Sequence, residues 1–196
     1  HHPVDQRPWI HIRADFHPSR SEVDQEWLVT PKMSFGTGHH ETTCLMLEYL
    51  GLTELQGKNV LDLGTGTGIL AIGASRFGAS RVVAIDNEPW TVENCRENCA
   101  ANHCNNIQVL LGDNLQEITE TFDLILANIN LNILIRLMDE MTEMLNADGT
   151  IVMSGILEAD IPLLDEKMRQ RGFRLHSVRK KGNWVAIRFH AQPVHN

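Results

Sequence analysis

The sequence predicts an α/β fold: a doubly wound, mostly parallel seven-stranded sheet that ends in a C-terminal antiparallel hairpin. Short apolar segments typical of buried strands alternate with longer segments whose apolar residues have helical spacing. Glycines, acids or amides follow several strand segments, where an open parallel sheet binds ligands. The last two strand patterns, Arg174–Arg179 and Trp184–Phe189, flank Lys180-Lys181-Gly182-Asn183 and predict the hairpin.

The composition is that of one globular domain. The 196 residues are 42% hydrophobic and 21% charged, unlike a disordered chain. The formal net charge of −8 argues against direct nucleic-acid binding, because such proteins are normally basic. No apolar run reaches the about 20 residues that span a bilayer. We therefore expect a cytoplasmic protein, monomeric, with no membrane or nucleic-acid partner.

Cysteine and histidine spacing argues against a metal site. The four cysteines (Cys44, Cys95, Cys99 and Cys104) include no C-x-x-C pair, and His39-His40 has no third ligand nearby in the sequence. Free thiols in a reducing compartment are the expectation.

Residues 1–32 read as a linker or lead-in segment, and residues 33–196 as the main domain. Prolines interrupt any helix in the first part, although Trp9–Ile12 and Glu26–Thr30 are each predicted as a short strand.

A glycine-containing loop around Phe35 precedes a helix that runs to about Leu50. Thr42 and Thr43 lie near the start of this helix, where hydroxyls and free N–H groups can hold a carboxylate. The alternative is that either threonine only caps the helix.

The chain is organised around a strand–glycine turn–helix unit. The apolar run Val60–Leu63 breaks into Gly64-Thr65-Gly66-Thr67-Gly68, and a helical pattern starts at Ile69. Glycines let the backbone approach a ligand and adopt positive φ, so a ligand is expected across this turn. The spacing differs from the G-x-G-x-x-G of dinucleotide-binding proteins. With Asp62 it resembles the D/E-x-G-x-G-x-G motif of class I S-adenosylmethionine-dependent methyltransferases.

The next predicted strand, starting at Arg81, ends in Asp86. An acid about 20 residues beyond the first glycine is the usual partner of ribose hydroxyls, and a carboxylate suits a ribose diol. The alternative reading of Asp86 is a helix cap before Pro89, a role that Asn87 also fits.

The remaining elements continue the alternation. They are helices at Pro89–Asn102, Leu131–Leu145 and about Ile161–Met168, and strands at Ile107–Leu111, Phe122–Ala127 and Thr150–Ser154. Asp113 follows a strand and either meets an adenine amino group or serves only in a turn. Asn128 follows another strand and is either a turn residue or a site residue. Asp148-Gly149 is predicted as a turn.

Four stretches together resemble the PrmA family, the methyltransferases of ribosomal large-subunit protein L11. They are Ser34–Thr43, Asp62–Ile72, Ile85-Asp86 and Ala127–Ile129. The resemblance implies a Rossmann-like class I methyltransferase fold, S-adenosyl-L-methionine bound by Thr43, Gly64, Asp86 and Asn128, and methyl transfer to lysine and N-terminal amines. His39 and Glu41 replace the family's usual Thr and Pro. The family also has an N-terminal substrate-recognition domain, of which residues 1–32 are the expected remnant.

The predicted cofactor contacts also include Gly66, Asp113 and Phe35, and Asn128 is predicted to orient the amine. Two alternatives stay open. One is a class I methyltransferase that acts on another protein or a small molecule. The other is an NAD- or nucleotide-binding module, against which the glycine spacing argues.

Overall fold

The computed structural model describes residues 10–13, 25–28 and 40–193. The first two ranges are short strands, β1 (Ile10–Arg13) and β2 (Gln25–Leu28), which pair in parallel with Ile10 opposite Gln25. Both lie where the sequence predicts strands. Within the described residues, no helix is both long and apolar enough to cross a membrane.

A seven-stranded sheet forms the centre of the molecule, in the order β5-β4-β3-β6-β7-β9-β8. Its strands are β3 (Asn59–Leu63), β4 (Arg81–Asp86), β5 (Ile107–Leu111), β6 (Phe122–Asn128), β7 (Leu145–Leu157), β8 (Phe173–Lys181) and β9 (Trp184–Ala191). The first five are parallel, and β9 joins β7 and β8 by antiparallel pairing. The predicted fold class is therefore confirmed.

Helices cover both faces of this sheet. They are α1 (His40–Gly51), α2 (Ile69–Arg76), α3 (Pro89–Ala101), α4 (Leu131–Glu143) and α5 (Ile161–Arg169). Side chains of α1, α2 and α3 pack with Val60, Val82 and Leu126 in one buried cluster. Those of α4 and α5 pack with Leu61 and Ile125 in a second cluster on the opposite face.

The central strands are buried on both sides, which explains their continuous apolar sequences. In β3 and β4, all positions from Val60 to Leu63 and from Val82 to Ile85 are buried. A strand covered by helices on both faces needs apolar residues at successive positions, unlike a strand with one wet face. The reversal of strand order at β3 and β6 is the switch point at which such sheets bind ligands, beyond their carboxyl ends.

One predicted turn is wrong. Asp148-Gly149 lies inside β7, which begins at Leu145, so α4 ends at Glu143 and not at Leu145. The Phe122 N–H donates to the Met144 carbonyl at 2.8 Å, and the Asn146 amide donates to Asp123 at 2.8 Å. These bonds draw the chain beside β6 directly after the helix, and the pairing shifts register between Phe122 and Leu124.

Candidate active site

The glycine turn after β3 is held against the end of β4. The N–H groups of Gly64 and Thr65 both donate to the Ile85 carbonyl, at 2.9 and 3.1 Å. Gly64, Gly66 and Gly68 have φ of 73°, 56° and 90°, values that residues with a side chain rarely adopt. The turn therefore brings bare backbone to the carboxyl-end edge of the sheet.

Close neighbours exclude side chains from two of these glycines. A Cβ on Gly64 would lie 2.4 Å from Ile129 Cγ2, and one on Gly68 would lie 2.8 Å from Cys95 Sγ. The turn is thus packed against the segment after β6 on one side and against α3 on the other. Glycine is required here by contact as well as by backbone conformation.

Asp86 ends β4 and is half-buried, with a fixed carboxylate. Its Oδ2 accepts a hydrogen bond from Gly66 N–H at 3.1 Å, and its Oδ1 accepts one from Glu88 N–H at 3.2 Å. The cap of α3 is Glu88, whose side chain makes no capping bond. The helix-cap readings of Asp86 and Asn87 are therefore wrong, and Asp86 ties the glycine turn to the start of α3.

A cleft with an empty volume of about 790 Å³, counting the part open to solvent, lies beside the turn. It is lined by Gly64, Asp86, Asp113, Ile129 and Arg136, with Ile133 and Leu137 of α4 among its apolar residues. The structure thus brings three predicted site residues, Gly64, Asp86 and Asp113, to one cavity. A lining of apolar side chains with a few polar groups is usual for a small-molecule site.

Asn128 ends β6, where it is 8% exposed and pairs in register with Ser154 of β7. It is not among the described residues that line the cleft, but the next residue, Ile129, is. The helix-capping role belongs to Asn130, whose Oδ1 accepts from Ile133 N–H at 3.0 Å. Sequence reasoning did not assign that cap, although an asparagine directly before an apolar helix is its usual signal.

Three other predicted contacts, Gly66, Thr43 and Phe35, are not placed at the cleft. Gly66 lies in the glycine turn but is not among the described residues that line the cleft. Thr43 is half-buried in the first turn of α1, outside the described lining of the cleft, while Thr42 beside it is fully buried. Phe35 and His39 lie outside the described residues.

Asp62, under the glycine turn, is a buried acid to which sequence reasoning gave no separate role. It is 1% exposed, and the Thr65 hydroxyl donates to its Oδ2 at 2.6 Å. The pKa of Asp62 is raised to about 7, mainly by burial and to a smaller extent by the nearby Asp86 charge, against the lowering effect of the hydrogen bonds from Thr65 and from the Ala71 backbone. The hydrogen bond between Asp62 and Thr65 thus holds the glycine turn on its buried side.

One buried thiol, that of Cys95, lies beside this turn. The Cys95 Sγ lies 3.8 Å from the Thr65 hydroxyl, and Cys44, Cys95 and Cys99 are buried free thiols, with Cys104 partly exposed. Among the residues that the structure describes, no group of three or more His, Cys, Asp and Glu side chains is arranged to hold a metal ion.

Comparison with known proteins agrees with this geometry. Residues 2–192 match the family described as ribosomal protein L11 methyltransferase (PrmA). The chain belongs to the PrmA family. Curated relatives named ribosomal protein L11 methyltransferase include those of Porphyromonas gingivalis (46% identical over 179 residues) and Phocaeicola vulgatus (44% identical over 179 residues). Each alignment covers 91% of this chain, but the chain spans only 62% and 64% of these relatives.

A solved PrmA relative has the same fold. The crystal structure of ribosomal protein L11 methylase from Lactobacillus delbrueckii subsp. bulgaricus superposes with a TM-score of 0.86 at 28% sequence identity. The match covers 96% of this chain and 97% of that chain. The family resemblance read from the sequence is therefore confirmed.

Proposed function

We propose that this chain is the catalytic part of an enzyme that transfers methyl groups from S-adenosyl-L-methionine to amino groups of ribosomal large-subunit protein L11. The observation that carries the proposal is the convergence at the sheet's switch point. There the glycine turn, the Asp86 carboxylate and the Asn128-Ile129 segment lie side by side. The names of the relatives support the choice of substrate.

The residues of the cleft fit this cofactor. The bare backbone at Gly64 and Gly66 lets a nucleoside approach the sheet edge, and no phosphate needs to be neutralised. Asp86 accepts hydrogen bonds from the ribose diol, since its oxygens take more donors than the two N–H groups they already bind. Asp113 is the acceptor for the adenine amino group, and Ile133 and Leu137 provide apolar contact for the base.

Other parts of the proposal rest on residues away from this cleft. Thr43, at the start of α1, holds the methionine carboxylate of the cofactor through its hydroxyl and the free N–H groups there. Phe35 covers the cofactor from the preceding loop. Residues 33–196 form the methyltransferase domain, and residues 1–32 lead into it. The enzyme acts in the cytoplasm as a monomer, without direct contact to nucleic acid.

When bound, S-adenosyl-L-methionine would supply an electrophilic methyl group on its sulfonium: the amine nitrogen would bond to the methyl carbon in line as the carbon–sulfur bond breaks, and the rest of the cofactor would leave as a neutral thioether. The chain has to orient that amine, remove water from it and accept hydrogen bonds from its N–H groups. The side-chain oxygen of Asn128 and the carbonyl oxygens of Asn128 and Ile129 are the acceptors for this purpose. An asparagine takes up no proton, so the proton released by the amine leaves to water.

The two kinds of amine differ in what they require of the site. Only a neutral amine attacks, and a lysine with a pKa of about 10.4 is neutral in roughly one molecule in a thousand near pH 7.4. That protonation equilibrium costs about 4 kcal/mol, against roughly 0.4 to 0.8 kcal/mol for an α-amine with a pKa of about 7.7 to 8.0. An α-amine substrate therefore gives the more direct test of the orientation role.

The test has a binding step and a transfer step. Calorimetry with S-adenosyl-L-methionine and with NAD tells the proposed cofactor from a dinucleotide, and mass spectrometry then counts methyl groups added to purified protein L11. We expect binding of the first compound only. Asp86→Ala should lose that binding and Asp165→Ala should keep it, because Asp165 pairs with Arg169 on α5 and is not among the described residues that line the cleft. Binding of NAD alone would refute the cofactor, and cofactor binding without methylated L11 would refute the substrate.

A further inference from the structure

The Asn128-Ile129 segment passes between two glycines of positive φ as it leaves the sheet. On one side is Gly64 (φ 73°), where a Cβ would lie 2.4 Å from Ile129 Cγ2. On the other is Gly155 (φ 84°), where a Cβ would lie 2.8 Å from the Ile129 carbonyl oxygen and 3.3 Å from Asn128 Oδ1. Two of the three oxygens proposed to receive the amine, the Ile129 carbonyl oxygen and Asn128 Oδ1, thus lie against one bare backbone position.

Gly155 reaches this position through an irregularity in β7. The register with β9 shifts between Met153 and Ile156. Ser154, which faces Asn128 across the ladder, is fully buried, and its hydroxyl donates to the Val185 carbonyl at 2.8 Å. That bond anchors the irregular stretch to β9, and the extra residue directs the chain toward the end of β6.

We propose that Gly155 is a positioning residue for the methyl-accepting amine. Because it has no side chain, the backbone of Ile129 lies close against β7, and this contact sets where the Ile129 carbonyl and the Asn128 side-chain oxygen stand relative to the cofactor cleft. This role rests on the function proposed above. A side chain at position 155 displaces the carbonyl, and a displacement near 1 Å costs about a hundredfold in rate where reacting groups must be aligned.

The inference separates catalysis from cofactor binding. Gly155 is not among the described residues that line the cleft holding Asp86 and Asp113. Its contacts are with the proposed acceptor oxygens. A side chain at position 155 should therefore lower the rate constant for transfer and leave cofactor affinity unchanged. A residue needed only for folding would show no such separation.

The chain offers a matched control. Gly172, after α5, has φ of 83°, and no atom lies within 4 Å of a Cβ built on it. Gly155→Ala and Gly172→Ala therefore introduce the same backbone strain, but only the first also meets a carbonyl oxygen. Any difference between these variants reports the contact with Ile129 and Asn128.

Both variants would be compared with wild type in two assays: cofactor Kd by calorimetry, and kcat and KM with protein L11. For Gly155→Ala we expect kcat to fall by about tenfold to hundredfold, with cofactor Kd within about twofold of wild type. Gly172→Ala should keep kcat within about twofold. In the double variant with Asn128→Ala, the loss should be smaller than the product of the two single losses, because both changes act on one oriented group.

The outcomes distinguish the inference from the function on which it rests. Equal kcat in Gly155→Ala and Gly172→Ala would overturn the positioning role while leaving the methyltransferase intact, as would parallel losses of kcat and cofactor affinity. A wild type that binds cofactor and methylates no amine would overturn the proposed function first. If Gly155→Ala does not fold, Ser154→Ala tests the same point. Loss of the hydrogen bond from the Ser154 hydroxyl to the Val185 carbonyl should lower kcat without changing cofactor Kd. An unchanged kcat would refute the proposal.

Discussion

Replacing Asp62 by asparagine should change how the stability of this protein depends on pH. Asp62 is buried in β3, where its pKa is raised from 3.8 to about 7, mainly by burial. The side-chain amide of the new asparagine would keep an oxygen. That oxygen would accept the hydrogen bond that the Thr65 hydroxyl now donates to Asp62 Oδ2 at 2.6 Å. The substitution therefore removes the titration while changing the shape of the side chain very little.

The sign and size follow from the two states of the carboxyl group. Below about pH 4 it is protonated in both the folded and the unfolded protein, and makes no difference to the free energy of unfolding. Between about 4 and 7 the unfolded state releases the proton and the folded state keeps it, so stability falls as pH rises. Above about 7 the folded state holds a buried carboxylate, and the loss reaches at most about 4 kcal/mol, from about three pH units at 1.36 kcal/mol each.

Urea denaturation of wild type and Asp62→Asn at several pH values between 4 and 8.5 measures this term as a difference, since the other titrating groups are common to both proteins. We expect the variant to gain stability relative to wild type as pH rises, and the gain to level off above about 7. A pH-independent difference between wild type and Asp62→Asn would show that Asp62 does not titrate as its burial implies.

Three further substitutions test the site. Asp86→Ala should weaken binding of S-adenosyl-L-methionine by at least about tenfold, through loss of charge-assisted hydrogen bonds. Wild-type affinity in calorimetry would show that Asp86 does not bind the ribose hydroxyls. Asn128→Ala should greatly reduce turnover of an α-amine substrate and shift the thermal midpoint only a little. A large shift of the midpoint with little loss of turnover would show that Asn128 has a structural role. Gly64→Ala should lower the free energy of unfolding by about 2 kcal/mol or more, because its Cβ overlaps Ile129 at 2.4 Å and its φ is positive. Urea midpoints equal to wild type would contradict that packing.

The sequence was most informative where both faces of a strand are buried. The bounds of β4, whose inner positions are all buried, agree with the predicted Arg81–Asp86. Continuous apolar runs between glycines and polar residues have few other interpretations in a chain of this length. Helix starts were also readable from local chemistry, as with Pro89 in the first turn of α3.

Prediction failed where pairing with a distant strand overrides local preference. Asp148-Gly149 has strong turn propensity, but its chain segment is held beside β6 by bonds such as that between Asn146 and Asp123, 23 residues apart. The alternative interpretation of Asp86 as the helix cap of α3 fails for a related reason. Asp86 is drawn to the Gly66 N–H, 20 residues earlier in the chain, so its carboxylate serves the glycine turn and leaves Glu88 at the cap position.

The site shows most clearly what a sequence does and does not contain. Periodicity indicates which residues end parallel strands, and parallel strands end at one edge, so Gly64, Asp86, Asp113 and Asn128 were expected to be neighbours. Their distances depend on contacts between residues far apart in the chain, such as Ile129 against Gly64 and Gly155. Gly155 stands in an ordinary strand sequence, and only the register shift in β7 places it beside the oxygens of Asn128 and Ile129. A local pattern thus predicts which strand-end residues form the candidate site, while the geometry around Asn128 and Ile129 is a property of the assembled sheet.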